Sequence, residues 1–122
     1  MDARTIADPL PLAQALMRCR SITPTEAGVL DVAQAALERI GFRARRMKFG
    51  DVDNLYARFG DAAPNFCFAG HLDVVPPGDG WASDPFAPEV RDGQLYGRGA
   101  ADMKTSIAAI LMFDTLLLRI ST

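Results

Sequence analysis

The segment that most limits how this chain can fold lies near its end. From about Met103, residues Ile107, Ile110, Leu111, Leu117 and Leu118 follow helical spacing, and the segment is apolar nearly all round. A helix of that kind must be covered on every side. The rest of the chain offers about two further helices and a small set of strands. An uncovered remainder would demand more polypeptide or a second subunit.

The first helix is expected to start near Asp8, with Pro9 in its first turn and Leu12, Ala13, Leu16 and Met17 on one face. After a loop around Arg20-Ser21-Ile22, Thr23-Pro24-Thr25-Glu26 reads as a capping box. Thr23 caps, Pro24 takes the first helical position and Glu26 reaches back. That helix runs to about Ile40 on the stripe Leu30, Ala33, Leu37 and Ile40, and Gly41 is a left-handed stop. Phe42 and Ala44 alternate with arginines before the phase slips at Met47 and Phe49, which predicts a bulge or a poor strand. Leu55, Ala57 and Phe59 alternate cleanly with Tyr56 and Arg58. A turn over 61–64 precedes the apolar run 66–69, read as a strand buried on both faces. Residues 73–80 read as a long loop, and Asp92-Gly93 between Glu89-Val90-Arg91 and Gln94-Leu95-Tyr96 is a strong two-residue hairpin signal. The order predicts an α/β fold with a mixed sheet flanked by helices.

Composition narrows the function. The chain has 122 residues and is 49% apolar, which suits one ordinary domain or a piece of a larger one. Thirteen basic residues against fifteen acidic ones give a net charge of −2, without the basic footprint a nucleic-acid partner requires. Arg39, Arg43, Arg45, Arg46 and Lys48 form a local exception that reads as a solvated face. No apolar run reaches the ~20 residues of a membrane span. The opening MDARTIADPLPLAQ lacks a secretory pattern, so a cytoplasmic location is the default expectation. Cys19 and Cys67 lack CxxC spacing and read as buried free thiols.

Chemistry concentrates in two places. His71, the single histidine, follows the buried apolar run, and Asp73 lies two residues on. In an extended backbone the two project to one face, at the strand end where α/β sheets build sites. An imidazole that binds a metal usually donates its other N–H to a carboxylate, and His-x-Asp supplies that pair. Alone, a histidine near a strand end is more often a structural hydrogen-bonding residue than a ligand. The second place is Gly97-Arg98-Gly99-Ala100-Ala101-Asp102-Met103-Lys104. Asp102 is either a plain N-cap or a carboxylate held before a buried helix, able to bridge two cations in a hydrolytic clamp. Arg98 reads as surface or scaffold, and Trp81 with Pro85 and Phe86 as local packing.

Ala69-Gly70-His71-Leu72-Asp73-Val74-Val75-Pro76 followed by Gly97-Arg98-Gly99-Ala100-Ala101-Asp102-Met103-Lys104 resembles the signature of the dinuclear zinc aminoacylase and carboxypeptidase family. The resemblance runs from about Leu12 to Met112. It implies that residues 1–122 are the N-terminal part of the catalytic domain of a dinuclear zinc exopeptidase-like fold. The inserted dimerisation domain and the C-terminal part would be absent. It also implies site roles. His71 would ligate one zinc, Asp102 would bridge two, and Asp73 would be the catalytic carboxylate that orients His71. The cofactor would be Zn2+, two per complete site, with Co2+ as an alternative.

The activity implied is removal of a succinyl group from an acylated diamino acid on the route to lysine and cell-wall precursors. Removal of an acetyl group is the alternative within the family. The partner would be a small acyl amino acid, with no nucleic acid and no membrane, and the full-length member would be a homodimer. The family's general base and a further metal ligand are adjacent downstream glutamates, and a late histidine serves the second metal. Here Glu26, Glu38 and Glu89 all precede Asp102, Asp114 is the only later acid, and no second histidine exists. The chain alone is therefore expected to be incomplete and inactive, as a truncated frame or a cut piece would be. A non-catalytic remnant that associates through its apolar last helix is the other reading.

Overall fold

Asp8 opens the described structure, and its carboxylate accepts the Leu10 N–H at 2.9 Å. With Pro9 preset for a first turn, that bond starts α1 over Leu10–Arg18. A computed structural model describes residues 8–120, the side chains as far as Asp114. Leu117 and Leu118 of the expected last helix lie beyond the described side chains, and residues 1–7 of the opening lie outside the described residues.

Helix α1 buries Ala13, Leu16 and Met17 completely. Complete burial of a leucine side chain contributes roughly 2–3 kcal/mol. Helix α2 covers Val29–Arg39 and buries Val29, Leu30 and Ala33. It starts six residues after the expected cap. Gly28 at φ +81° provides its entry, and the Glu26 carboxylate accepts the Leu30 N–H at 3.3 Å. Thr23 is not a helix cap, because its segment is held elsewhere. Val74 N–H donates to Ser21 O at 2.9 Å and Thr23 N–H to Val74 O at 3.1 Å. Ile22 and Val74 thereby form a parallel bridge. The Ser21 hydroxyl, fully buried, donates to Leu72 O at 2.7 Å.

Strands β1, Arg43–Phe49, and β2, Val52–Arg58, pair antiparallel from Arg43↔Arg58 to Phe49↔Val52. The register is continuous, with no bulge. The phase slip in the sequence arises because Arg46 shares its face with Ala44 and reaches α2. Its guanidinium meets Asp31 at 2.5 Å and Gln34 at 2.7 Å. Strands β3, Glu89–Arg91, and β4, Gln94–Tyr96, form the hairpin that Asp92-Gly93 predicts. Both turn residues have positive φ, +53° and +74°, as a type I′ turn requires. The class is α/β, with two antiparallel pairs and one parallel bridge.

Helix α3, Lys104–Ile120, packs on α1 and buries Ala108 and Leu111. Ser106, Ala109 and Phe113 are exposed, so its covering is one-sided. No helix among the described residues is long and apolar enough to cross a membrane. The run 66–69 is not a doubly buried strand: Phe66 is 80% exposed and Phe68 44% exposed, because no strand lies beside it among the described residues. Cys67 is exposed and Cys19 half-buried, both as free thiols, so the expected burial of Cys67 fails with that strand.

Lys104 is fully buried. Its ammonium donates to Leu16 O at 2.9 Å and Cys19 O at 3.0 Å, closing the C-terminal end of α1 onto the start of α3. Burial pulls its pKa down from 10.5 to about 8. The unfolded chain therefore binds more protons than the folded one between about pH 8 and 10.5, and stability rises with pH across that window. Urea unfolding should show wild type gaining on Lys104→Met by on the order of 1–2 kcal/mol between pH 7.5 and 9.5. A pH-independent difference would mean that the ammonium is not buried as described.

Candidate functional site

Three acidic and basic side chains meet where the 72–74 segment passes the start of α3. The Ser21–Thr23 pairing fixes Leu72 to Val74, so the residues on either side of that bridge have little freedom. Gly70 stands against α3, where a Cβ would collide with Ile107 and press on Met103. That close approach brings His71 beside the turn before the helix. Gly99, at φ +88°, packs on Lys104 and Val74, and Lys104 N–H donates to Gly99 O at 2.9 Å. The turn so formed projects Asp102, and the Asp102–Met103 peptide is cis.

His71 Nε2 lies 3.0 Å from Asp102 Oδ1. On the other side of the ring, Nδ1 lies 3.1 Å from Asp73 O and 3.2 Å from Asp73 Oδ1. The Asp102 carboxylate faces the imidazole, two residues before α3 begins. Asp73 takes a further hydrogen bond: the Thr23 hydroxyl donates to its Oδ2 at 2.5 Å. Sequence reasoning missed Thr23, because its place before a Pro and a Glu reads as a cap. The relevant signal is the parallel bridge, which no local pattern announces.

The electrostatics follow from this geometry. Partial burial pushes the His71 pKa down, but hydrogen bonds to Asp73 and Asp102 and the charge of both carboxylates outweigh it, leaving the pKa above its ordinary value. The Thr23 hydroxyl is the main cause that holds the Asp73 carboxyl below its usual range, against the opposing effect of burial and with help from His71. Arg98 is scaffold. Its Nη2 donates to Pro77 O at 3.1 Å and its guanidinium lies 5.3 Å from the Trp81 ring centre. Trp81 Nε1–H donates to the same carbonyl at 2.9 Å, which makes it a local clip.

The pair fits a zinc ion in type and spacing. Zinc takes imidazole nitrogen and carboxylate oxygen at about 2.0–2.2 Å in tetrahedral geometry, so neighbouring donors stand roughly 3.3 Å apart. Nε2 and Oδ1 stand 3.0 Å apart. In number the set falls short. Zinc sites use at least three protein ligands, and among the described residues no three His, Cys, Asp or Glu side chains form a group able to hold a metal.

Residues 67–113 match the family described as Peptidase family M20/M25/M40. The chain resembles the N-terminal part of an enzyme of this family. Over 108 residues it is 64% identical to the succinyl-diaminopimelate desuccinylase of Maricaulis maris, covering 87% of this chain and 28% of the relative. Over 111 residues it is 59% identical to that of Rhodospirillum rubrum, with 87% and 28% covered. The crystal structure of human carnosine dipeptidase 1 superposes with a TM-score of 0.74 at 26% identity, covering 93% of this chain and 29% of that one. The chain thus spans under a third of the M20 relatives' length, and the matched region contains His71, Asp73 and Asp102.

A single histidine makes the site easy to test, since one imidazole signal reports on it. In NMR titrations, Asp73→Asn and Asp102→Asn should each lower the His71 pKa, and Thr23→Val should raise that of Asp73. An unchanged His71 pKa in both Asn variants would show that the carboxylates do not converge on the ring.

Proposed function

We propose that the chain supplies the first ligand pair of a two-zinc amidohydrolase that cleaves N-succinyl-LL-2,6-diaminopimelate to succinate and LL-diaminopimelate. The observation that carries this reading is the 3.0 Å approach of His71 Nε2 to Asp102 Oδ1 across 31 residues of sequence. The relatives' shared name supplies the substrate. His71 would hold one metal, Asp102 would bridge both, and Asp73 would keep the imidazole oriented. Zinc, or cobalt in its place, would lower the pKa of a bound water to about 7 and polarise the amide carbonyl.

The chain's own residues prepare the ligand pair. Asp73 accepts the Nδ1 proton and so leaves the lone pair on Nε2, the nitrogen that faces Asp102. Thr23 holds the far oxygen of the same carboxylate and keeps it from turning away. Without a cation the two carboxylates favour a proton on Nε2. Proton and metal compete for that atom, so metal uptake strengthens as pH rises through the raised pKa of His71. A carboxylate general base must take the proton of the attacking water. In this reading that base and the remaining ligands belong to the length the relatives carry and this chain does not.

The test places the chain where it has its counterpart. A chimera in which it replaces the matched region of the Maricaulis maris relative should release succinate in a metal-dependent way, faster than it releases acetate from the acetyl analogue. His71→Ala and Asp102→Ala should bring turnover to background, and Asp73→Asn should cost about 10–100-fold. The chain by itself should show no measurable turnover. Activity retained in His71→Ala rejects the assignment, and substantial turnover by the purified chain rejects its incompleteness.

A further inference from the structure

The His71–Asp102 pair cannot hold its own geometry. Its side chains are 47% and 84% exposed, and so exposed a pair ties two segments together only weakly. Packing brings the segments close, through Gly70 on Met103 and Gly99 on Val74. Apolar contact is non-directional, so it does not aim one side chain at the other. Among the described residues, one further hydrogen bond crosses between 71–81 and 97–104: Arg98 Nη2 donates to Pro77 O at 3.1 Å.

Arg98 is anchored on both sides. Its backbone N–H donates to Pro85 O at 2.7 Å, which pins the residue before its side chain extends. The guanidinium lies over Trp81, 5.3 Å from the ring centre, and the indole N–H donates to the same Pro77 carbonyl at 2.9 Å. A planar guanidinium bonds a carbonyl at its edge while its face stays on an aromatic ring, which an ammonium cannot do. Residues 75–88 form no helix or strand, so no ladder holds them, and Arg98 binds them at both Pro77 and Pro85. The position carries a cost. Arg98 Nε is buried with no hydrogen-bond partner among the described residues. Methionine would fill the same space without that cost and without the clip.

We propose that Arg98 is a positioning residue for the hydrolysis: by clipping Pro77 and Trp81 to the turn, it sets the direction in which Asp102 meets His71. Pro77 lies four residues after Asp73, and Arg98 four residues before Asp102. Arg98 therefore acts through backbone, backward from Pro77 to Asp73 and His71 and forward through Gly99-Ala100-Ala101 to Asp102. Its part in the reaction rests on the two-zinc reading, whereas its effect on the pair does not.

One tryptophan and one histidine give each end of this connection its own signal. In the chain, Arg98→Met should shift the Trp81 emission and move the His71 ring resonance toward its place in Asp102→Asn. Trp81→Phe keeps the ring and removes the N–H donor, so it should move that resonance the same way by less. Arg91→Met removes a comparable stack, on Tyr96 in the remote hairpin, and should leave His71 unmoved. Where Arg98→Met does not fold, Trp81→Phe decides. A His71 resonance that stays at its wild-type place, or that moves as far in Arg91→Met, overturns the proposal. In the Maricaulis maris chimera, Arg98→Met should lower kcat by roughly 10–100-fold with KM within about twofold. A loss carried by KM alone overturns the positioning role. A wild-type chimera that releases no succinate rejects the two-zinc reading, and the ring resonance then decides on Arg98.

Discussion

The short parallel contact between residues 21–23 and 72–74 is the constraint on which the site depends. It joins segments fifty residues apart with two backbone bonds and the buried Ser21 hydroxyl. Closing so long a loop costs entropy that only slowly grows with length, and the bridge alone does not offset it. The surrounding burial does, chiefly Leu16, Val29, Ala33 and Ala108 in one cluster. Once closed, the contact sets Asp73 from both directions: its backbone by the neighbouring Val74 pairing, its carboxylate by Thr23. His71 then has one orientation that satisfies its Nδ1, and that orientation turns Nε2 toward Asp102.

A second tie holds Asp102 in its turn. Lys104 buries a charge at the end of α1, held by two carbonyl oxygens, with no acidic partner in salt-bridge reach among the described residues. The carbonyls at a helix C-terminus suit an ammonium, because several point the same way and the peptide dipoles add. The depressed pKa of Lys104 records the desolvation that remains. A lysine tolerates that position because its long stem crosses the core and its head reaches two carbonyls at the end of α1, each of which also accepts a backbone N–H. Removing it would free both the end of α1 and the turn that presents Asp102.

Local rules made most of the elements legible. The hairpin at Asp92-Gly93, both early helices and the last helix follow from periodicity and turn chemistry, because each is decided by residues close in sequence. The readings that failed are those decided by distant partners. Thr23 has every local feature of a cap and instead bonds to Asp73. Arg46 breaks the alternation of β1 because α2 offers it Asp31. The run 66–69 has the composition of a buried strand and sits exposed, since burial of a strand is a property of its neighbours. At the site, His71, Asp73 and Asp102 were visible as residue types at suggestive spacings. Their convergence was implied only by the family resemblance, because no spacing rule connects a strand end to a turn 31 residues later.

The exposed run and the His71–Asp102 pair adjoin in the chain, and both face solvent. Residues 66–70 carry the composition of a strand covered on both sides, and His71 follows them directly. Exposure around His71, Asp73 and Asp102 screens their charges.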